Sequence, residues 1–157
     1  MKEKRYRPNV AAVILSSSYP QTVSVFIGHR SDMNGVWQFP QGGIDDNEST
    51  REAVLRELQE EIGTGKVEIL SEYPDWEFYD FPETASKSRK LYDFDGQKQK
   101  YFLVRLKNDS DVNIHTKHPE FDDYKFVSFG ELFDFASHFK KPIYKKVLSY
   151  FRKEGFI

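Results

Sequence analysis

Residues 42–64, GGIDDNESTREAVLRELQEEIGT, constrain what this chain can fold into more than any other stretch. Asp45, Asp46 and Asn47 are turn formers, and Ser49 or Thr50 supplies an N-cap oxygen for a helix beginning just beyond them. The run that follows has neither Gly nor Pro until Gly63, whose backbone freedom suits a helix stop. At about 100° per residue, Val54, Leu55, Leu58 and Ile62 gather on one arc, so the helix must lie against a core. Glu57, Glu60 and Glu61 gather on the adjacent arc, because side chains three and four positions apart are neighbours on a helix.

Those three carboxylates repel one another, and two of them stand in the last turn, where the helix dipole disfavours anions. A helix shaped only for stability would not carry them there. Divalent cations remove the conflict, since carboxylate oxygens suit Mg²⁺ or Mn²⁺ and phosphate oxygens can complete the shell. Taken alone, ELQEE is a solvated acidic helix face, the usual fate of a charge cluster. Gly42, Glu48, Arg56 and Gly63 stand in register around it, which turns the reading to a metal site.

That spacing resembles the Nudix box, the motif of enzymes that hydrolyse nucleoside diphosphates linked to another group. One position departs: Thr64 stands where the family usually has an aliphatic residue, past the helix end and away from the chemistry. Three segments beyond the box, with a fourth near residue 120, sharpen the likeness. Tyr6-Arg7-Pro8-Asn9-Val10 opens it, Trp37-Gln38-Phe39-Pro40-Gln41 leads into the box, and Gly96-Gln97-Lys98-Gln99-Lys100 precedes an apolar strand. Together with Pro119-Glu120-Phe121-Asp122 they are similar to the bacterial RNA 5′-pyrophosphohydrolases, also known as dinucleoside polyphosphate hydrolases.

The resemblance implies a site, residue by residue. Glu57, Glu60 and Glu61 would be catalytic and, with Glu120 and a backbone carbonyl near Gln41, would ligate two or more Mg²⁺ or Mn²⁺ ions. It leaves the general base open, with Glu57 the first choice. Glu48 and Arg56 would pair to tie loop to helix, with Gly42 and Gly63 as structural positions of the box. Arg7, Arg30, Lys98 and Lys140 would neutralise phosphates, and Phe139 would stack on a base. Arg30 matches only with a one-residue insertion before Trp37. The bland readings are surface solubility for the cations, core or cap for Phe139, and core for Trp37 and Trp76. His115, His118 and His138 show no ligand spacing and read as surface residues.

The implied reaction is removal of pyrophosphate from the 5′-triphosphate end of RNA, leaving a 5′ monophosphate that promotes mRNA decay. The expected partner is RNA with an unpaired 5′ end, or nucleotide polyphosphates, with neither DNA nor membrane. The alternative is hydrolysis of free dinucleoside polyphosphates or nucleoside triphosphates. A non-catalytic nucleotide or RNA sensor fits less well, because such domains usually lose box glutamates and all three are present.

Composition bounds the rest. With 157 residues, 14 Phe and 9 Tyr, the chain can bury an aromatic core, and one domain over 5–152 is expected. The lack of cysteine excludes disulfides, thiolate zinc sites and cysteine nucleophiles. A cytoplasmic protein fits this, with no apolar run of membrane-spanning length. Net charge is only -2, but it is unevenly spread. Basic clusters at Lys2, Lys4, Arg5 and Arg7, at Lys87, Arg89, Lys90, Lys98 and Lys100, and at Lys140, Lys141, Lys145 and Lys146 flank an acidic centre. Strands are expected at 10–15, 22–27, 67–70, 76–79, 100–106 and 125–127, the first two as a hairpin, and a helix is expected to start at Pro142. Residues 81–95 read as a long polar excursion. The pattern is α+β, and the resemblance sharpens it to an α/β/α sandwich on a mixed sheet, with the box as loop-helix-loop.

Overall fold

Two strands carry the architecture because both of their faces are apolar. In a computed structural model, which describes residues 3–82 and 93–157, β1 (Tyr6–Leu15) and β7 (Gly96–Leu106) run parallel at the centre of a mixed sheet. They stay in register from Tyr6↔Gly96 to Leu15↔Arg105. Parallel strands buried on both sides read as continuous apolar runs, and VAAVIL and YFLV are such runs. Successive side chains point to opposite faces. Val10, Ala12, Ile14, Phe102 and Val104 therefore meet Val54, Leu58 and Ile62 of α1 (Thr50–Ile62). Ala11, Val13, Leu15, Tyr101 and Leu103 meet Leu132 of α2 (Phe129–Phe135) and Tyr144, Val147 and Phe151 of α3 (Lys141–Lys153). Helices on both faces make the α/β/α sandwich.

The remaining strands complete the sheet. β2 (Val25–Arg30) lies between β1 and β3 (Trp37–Gln38) and also pairs β8 (Phe121–Val127). β4 (Gln41–Gly43) pairs β1, and β5 (Val67–Glu72) and β6 (Glu77–Asp80) pair β7. The expected hairpin is narrower than the sequence suggests: β1 and β2 pair only at Leu15↔Val25. Below that point β4 takes the edge of β1 at Asn9, Val10 and Ala11, bringing the box glycines onto the sheet.

Three expectations change. α2 was not anticipated, although Ser128 and Glu131 form a capping box at its start, a local signal legible as S-x-x-E. β8 starts four residues earlier than expected; Asp122 and Asp123 are tolerated because both are exposed. His138 is not a surface residue: it is half-buried, with Nε2 2.9 Å from the Trp37 carbonyl oxygen. Lys2, Lys87, Arg89, Lys90 and most of the 81–95 excursion lie outside the described residues. The ends of that excursion meet where the Phe81 amide donates to the Asp95 carbonyl at 2.8 Å. No described helix is long and apolar enough to cross a membrane.

Candidate active site

The box folds as a loop clamped onto a helix. Ser49 is the N-cap: its hydroxyl accepts from the Glu52 amide at 3.0 Å, and Glu52 accepts back from the Ser49 amide at 3.2 Å. Gly63 ends the helix at φ 77°, a left-handed conformation that side-chain-bearing residues rarely adopt. Arg56 is the hub. Its Nε and Nη2 donate to the two oxygens of Glu48 at 2.7 and 2.8 Å, and Nη2 also reaches the Gly43 carbonyl at 2.8 Å. Nη1 donates to Glu57 at 2.8 Å and Glu60 at 3.2 Å. The fork geometry of a guanidinium is what allows one side chain to fasten loop, strand and helix together.

This clamp has a pH signature. The Arg56 hydrogen bonds hold the Glu48 carboxyl down at about 2, against an ordinary value of 4.5. A depressed carboxylate contributes stability that is fully present above the ordinary value and is lost as pH falls toward the depressed one. Glu48→Gln should therefore lower stability by about 1–2 kcal/mol near neutral pH, because the neutral amide keeps a hydrogen bond but not the charge. The gap between variant and wild type, read from denaturant midpoints, should close as pH is lowered through that window. A gap independent of pH would mean Glu48 acts by packing alone.

Next to the clamp lies an unbalanced cluster of carboxylates. Glu61 is buried at 6% exposure, and the Gln41 backbone amide donates to its Oε2 at 3.2 Å. Burial raises its carboxyl well above the ordinary range, and the nearby charges of Glu57 and Glu120 push the same way. Burial likewise raises Glu57 to about 6, opposed by Arg56. Glu60 is exposed, and Glu120 stands exposed just before β8, its carbonyl accepting the Ser31 amide at 3.0 Å. Among the described residues no group of three such side chains closes into a ready-made metal cage. The donor chemistry nevertheless fits hard divalent cations. The buried Glu61 faces three like charges and forms no ion pair among the described residues, and Mg²⁺ in particular keeps water or phosphate oxygens in its shell.

A cationic and aromatic wall faces this cluster. Lys140 is 3% exposed, forms no ion pair among the described residues, and donates its Nζ to Gln41 Oε1. Burial pulls its ammonium down to about 7, helped by Arg30 and opposed by Glu61, so the lysine lies within electrostatic reach of the carboxylates. The ammonium also lies 5.1 Å from the Tyr79 ring centroid. Phe139 is 53% exposed and packs on Tyr79 at 5.2 Å between centroids, an aromatic surface left open on one side. Arg7 reaches across Gly43, where a Cβ would come within 2.1 Å of its guanidinium. Arg30 is engaged by Asp32 at 2.7 and 2.9 Å.

Lys98 is not brought into this group. The alternation of β7 turns it away from Gln97 and Gln99, and its ammonium lies 4.9 Å from the Trp76 ring centroid. Trp37 packs partly buried against the core, its ring centroid 5.8 Å from that of Phe135 of α2. Beneath the wall lie amides to which sequence alone assigns no role. Asn9, Gln97 and Gln99 are buried, Asn9 Nδ2 donates to Gln97 Oε1 at 3.1 Å, and Gln97 Nε2 donates to the Tyr79 hydroxyl. The alternating glutamines of GQKQK were the available signal, since they set polar side chains on one face of an otherwise apolar strand.

The architecture and the box together define a class. The NUDIX domain family matches residues 5–151, and the chain belongs to the Nudix hydrolase family, which generally uses divalent metal ions. Within it, the chain is 61% identical over 155 residues to an RNA pyrophosphohydrolase of Campylobacter jejuni subsp. jejuni serotype O:23/36, covering 99% of this chain and 98% of that one. It is 50% identical to the RNA pyrophosphohydrolase of Helicobacter pylori strain HPAG1, with full coverage of both. A C. elegans Ap4A hydrolase binary complex shares the fold at TM-score 0.69 and 19% identity, over 94% of this chain and 98% of that one.

Proposed function

We propose that this chain removes pyrophosphate from the 5′-triphosphate end of RNA and leaves a 5′ monophosphate, acting on an unpaired end. The observation that carries the reading is the pairing of opposites within one pocket. A buried ammonium, Lys140, faces a buried carboxylate, Glu61, and among the described residues neither forms an ion pair; Glu57 beside them is half-buried and shares Arg56 with Glu48 and Glu60. A polyphosphate and divalent ions would satisfy both at once. The near full-length likeness to RNA pyrophosphohydrolases supports the same reading.

Each residue then has a task. Glu57, Glu60, Glu61 and Glu120, with the backbone at Gln41, would hold the divalent ions. Bound there, the ions neutralise the polyphosphate and orient water for attack at phosphorus. Water adds to phosphorus and the bridging anhydride bond breaks. Pyrophosphate leaves, and a carboxylate takes the proton of the water, with Glu57 the first choice for this role. Arg7 and Lys140 neutralise phosphate oxygens, and Arg30 supplies charge from the rim. The open face of Phe139 offers a platform for one of the first bases.

A base can reach Phe139 only when it is free of a partner and of its own stack. Triphosphorylated RNA with a single-stranded 5′ end should be converted at least about tenfold faster than a matched blunt duplex, since base stacking on an aromatic is worth about 1–3 kcal/mol. The assay follows pyrophosphate release from both RNAs, with diadenosine tetraphosphate alongside. Equal rates on the two RNAs would remove the base platform. Inert RNA with fast dinucleotide turnover would replace the reading with dinucleoside polyphosphate hydrolysis.

A further inference from the structure

Behind Lys140 runs a line of side-chain hydrogen bonds in which every amide has only one workable orientation. Tyr101, fully buried on β7, donates its hydroxyl to Gln99 Oε1 at 2.8 Å. Gln99, also at 0% exposure, turns its Nε2 the other way, to Asn9 Oδ1 at 2.8 Å and Gln41 Oε1 at 2.7 Å. The Gln41 oxygen is thereby set as an acceptor, and Lys140 Nζ is its second donor. The Asn9↔Gln99 register of β1 and β7 brings the two amides side by side.

An amide can exchange its oxygen and nitrogen ends unless its neighbours tell them apart. Here they do so from both ends. An ammonium has no acceptor, so Gln41 must present oxygen to it; Gln99 must then present nitrogen to Gln41 and oxygen to Tyr101. Tyr101 is the donor to that oxygen among the described residues, and without it a buried carbonyl loses this hydrogen bond. We propose that Tyr101 and Gln99 are positioning residues for the reaction, acting through Gln41 to hold the Lys140 ammonium on the phosphate-binding side of the pocket. This rests on the reading of Lys140 as a phosphate-binding group.

A polar line of this kind can also serve only to specify strand register. A double-mutant cycle separates the two roles, because residues that act as a unit are not additive. The variants are Tyr101→Phe, Lys140→Ala and the pair, assayed on 5′-triphosphorylated single-stranded RNA, with thermal melts confirming that each is folded. Tyr101→Phe should raise KM about fivefold to tenfold and change kcat by less than about twofold, as for loss of one buried hydrogen bond. In the Lys140→Ala background the same change should alter kcat/KM by less than about twofold. Gln99→Met, close in size but without an amide, should repeat both results. Equal losses from Tyr101→Phe in the two backgrounds, or no loss in either, would overturn the inference. A silent Lys140→Ala would overturn it as well, and would do so by removing Lys140 from the phosphates while leaving RNA hydrolysis itself intact. A wild-type protein inert on RNA would instead overturn the functional reading on which it rests.

Discussion

Glu57→Gln and Glu61→Gln should each lower turnover by about 100-fold or more at saturating Mg²⁺, while both proteins stay folded. Loss of groups that merely support metal ligands already costs about 10–100-fold, and these two carboxylates are the proposed ligands themselves. Folding should survive for a reason visible in the structure. Glu61 is buried among like charges, so replacing it with an amide of the same size relieves repulsion and keeps an acceptor for the Gln41 amide. Glu57 gives up its link to Arg56, but Arg56 retains both oxygens of Glu48. The measurement is turnover together with thermal unfolding with and without Mg²⁺. The ion should stabilise wild type by mass action and stabilise each variant less. Near-normal turnover by both variants would end the metal assignment.

Gly42→Ala should cost about 10–100-fold in turnover with only a small change in stability. A Cβ at Gly42 would stand 1.9 Å from the Glu57 carboxyl carbon and 2.0 and 2.3 Å from its oxygens. No carbon tolerates such a contact, so the Glu57 side chain must swing out and leave Arg56. A side-chain end moves at little cost to the fold, whereas a displacement of about 1 Å at a reacting centre can cost about 100-fold in rate. Gly35 is the control: it is exposed, and a Cβ there meets nothing within 4 Å, although its φ of 75° carries its own backbone strain. Gly35→Ala should trouble stability more than turnover. A Gly42→Ala enzyme with wild-type rate would show that Glu57 need not occupy the place it holds against β4.

These two outcomes test different kinds of information. The glutamates of α1 were legible because the contacts that define them are local. The Ser49–Glu52 capping box spans three residues, the Gly63 stop is a single conformational requirement, and the Glu48–Arg56 clamp spans eight. Helical periodicity then separates the apolar arc from the acidic one without reference to the rest of the chain. The Ser128–Glu131 box that starts α2 is equally local, so that helix too is legible in the sequence.

Other features had no local signal. That Gly42 lies under Glu57 follows from β4 pairing with β1, and that Lys140 is buried follows from α3 packing across the opposite face of the sheet from α1. A lysine in a run of lysines reads as surface until the fold closes over it. The amides of Asn9, Gln41 and Gln99 come from three strands and are joined by hydrogen bonds across 58 and 90 positions of sequence. Lys98, on the same short strand motif as Gln97 and Gln99, is turned to the other face by the pleat alone. Helix capping and helical periodicity act over a few residues, so the primary structure by itself determined the box helix, its caps and its acidic face. Register, burial and strand pairing act between distant segments, so only the tertiary structure decided which cations, amides and aromatic rings meet those carboxylates.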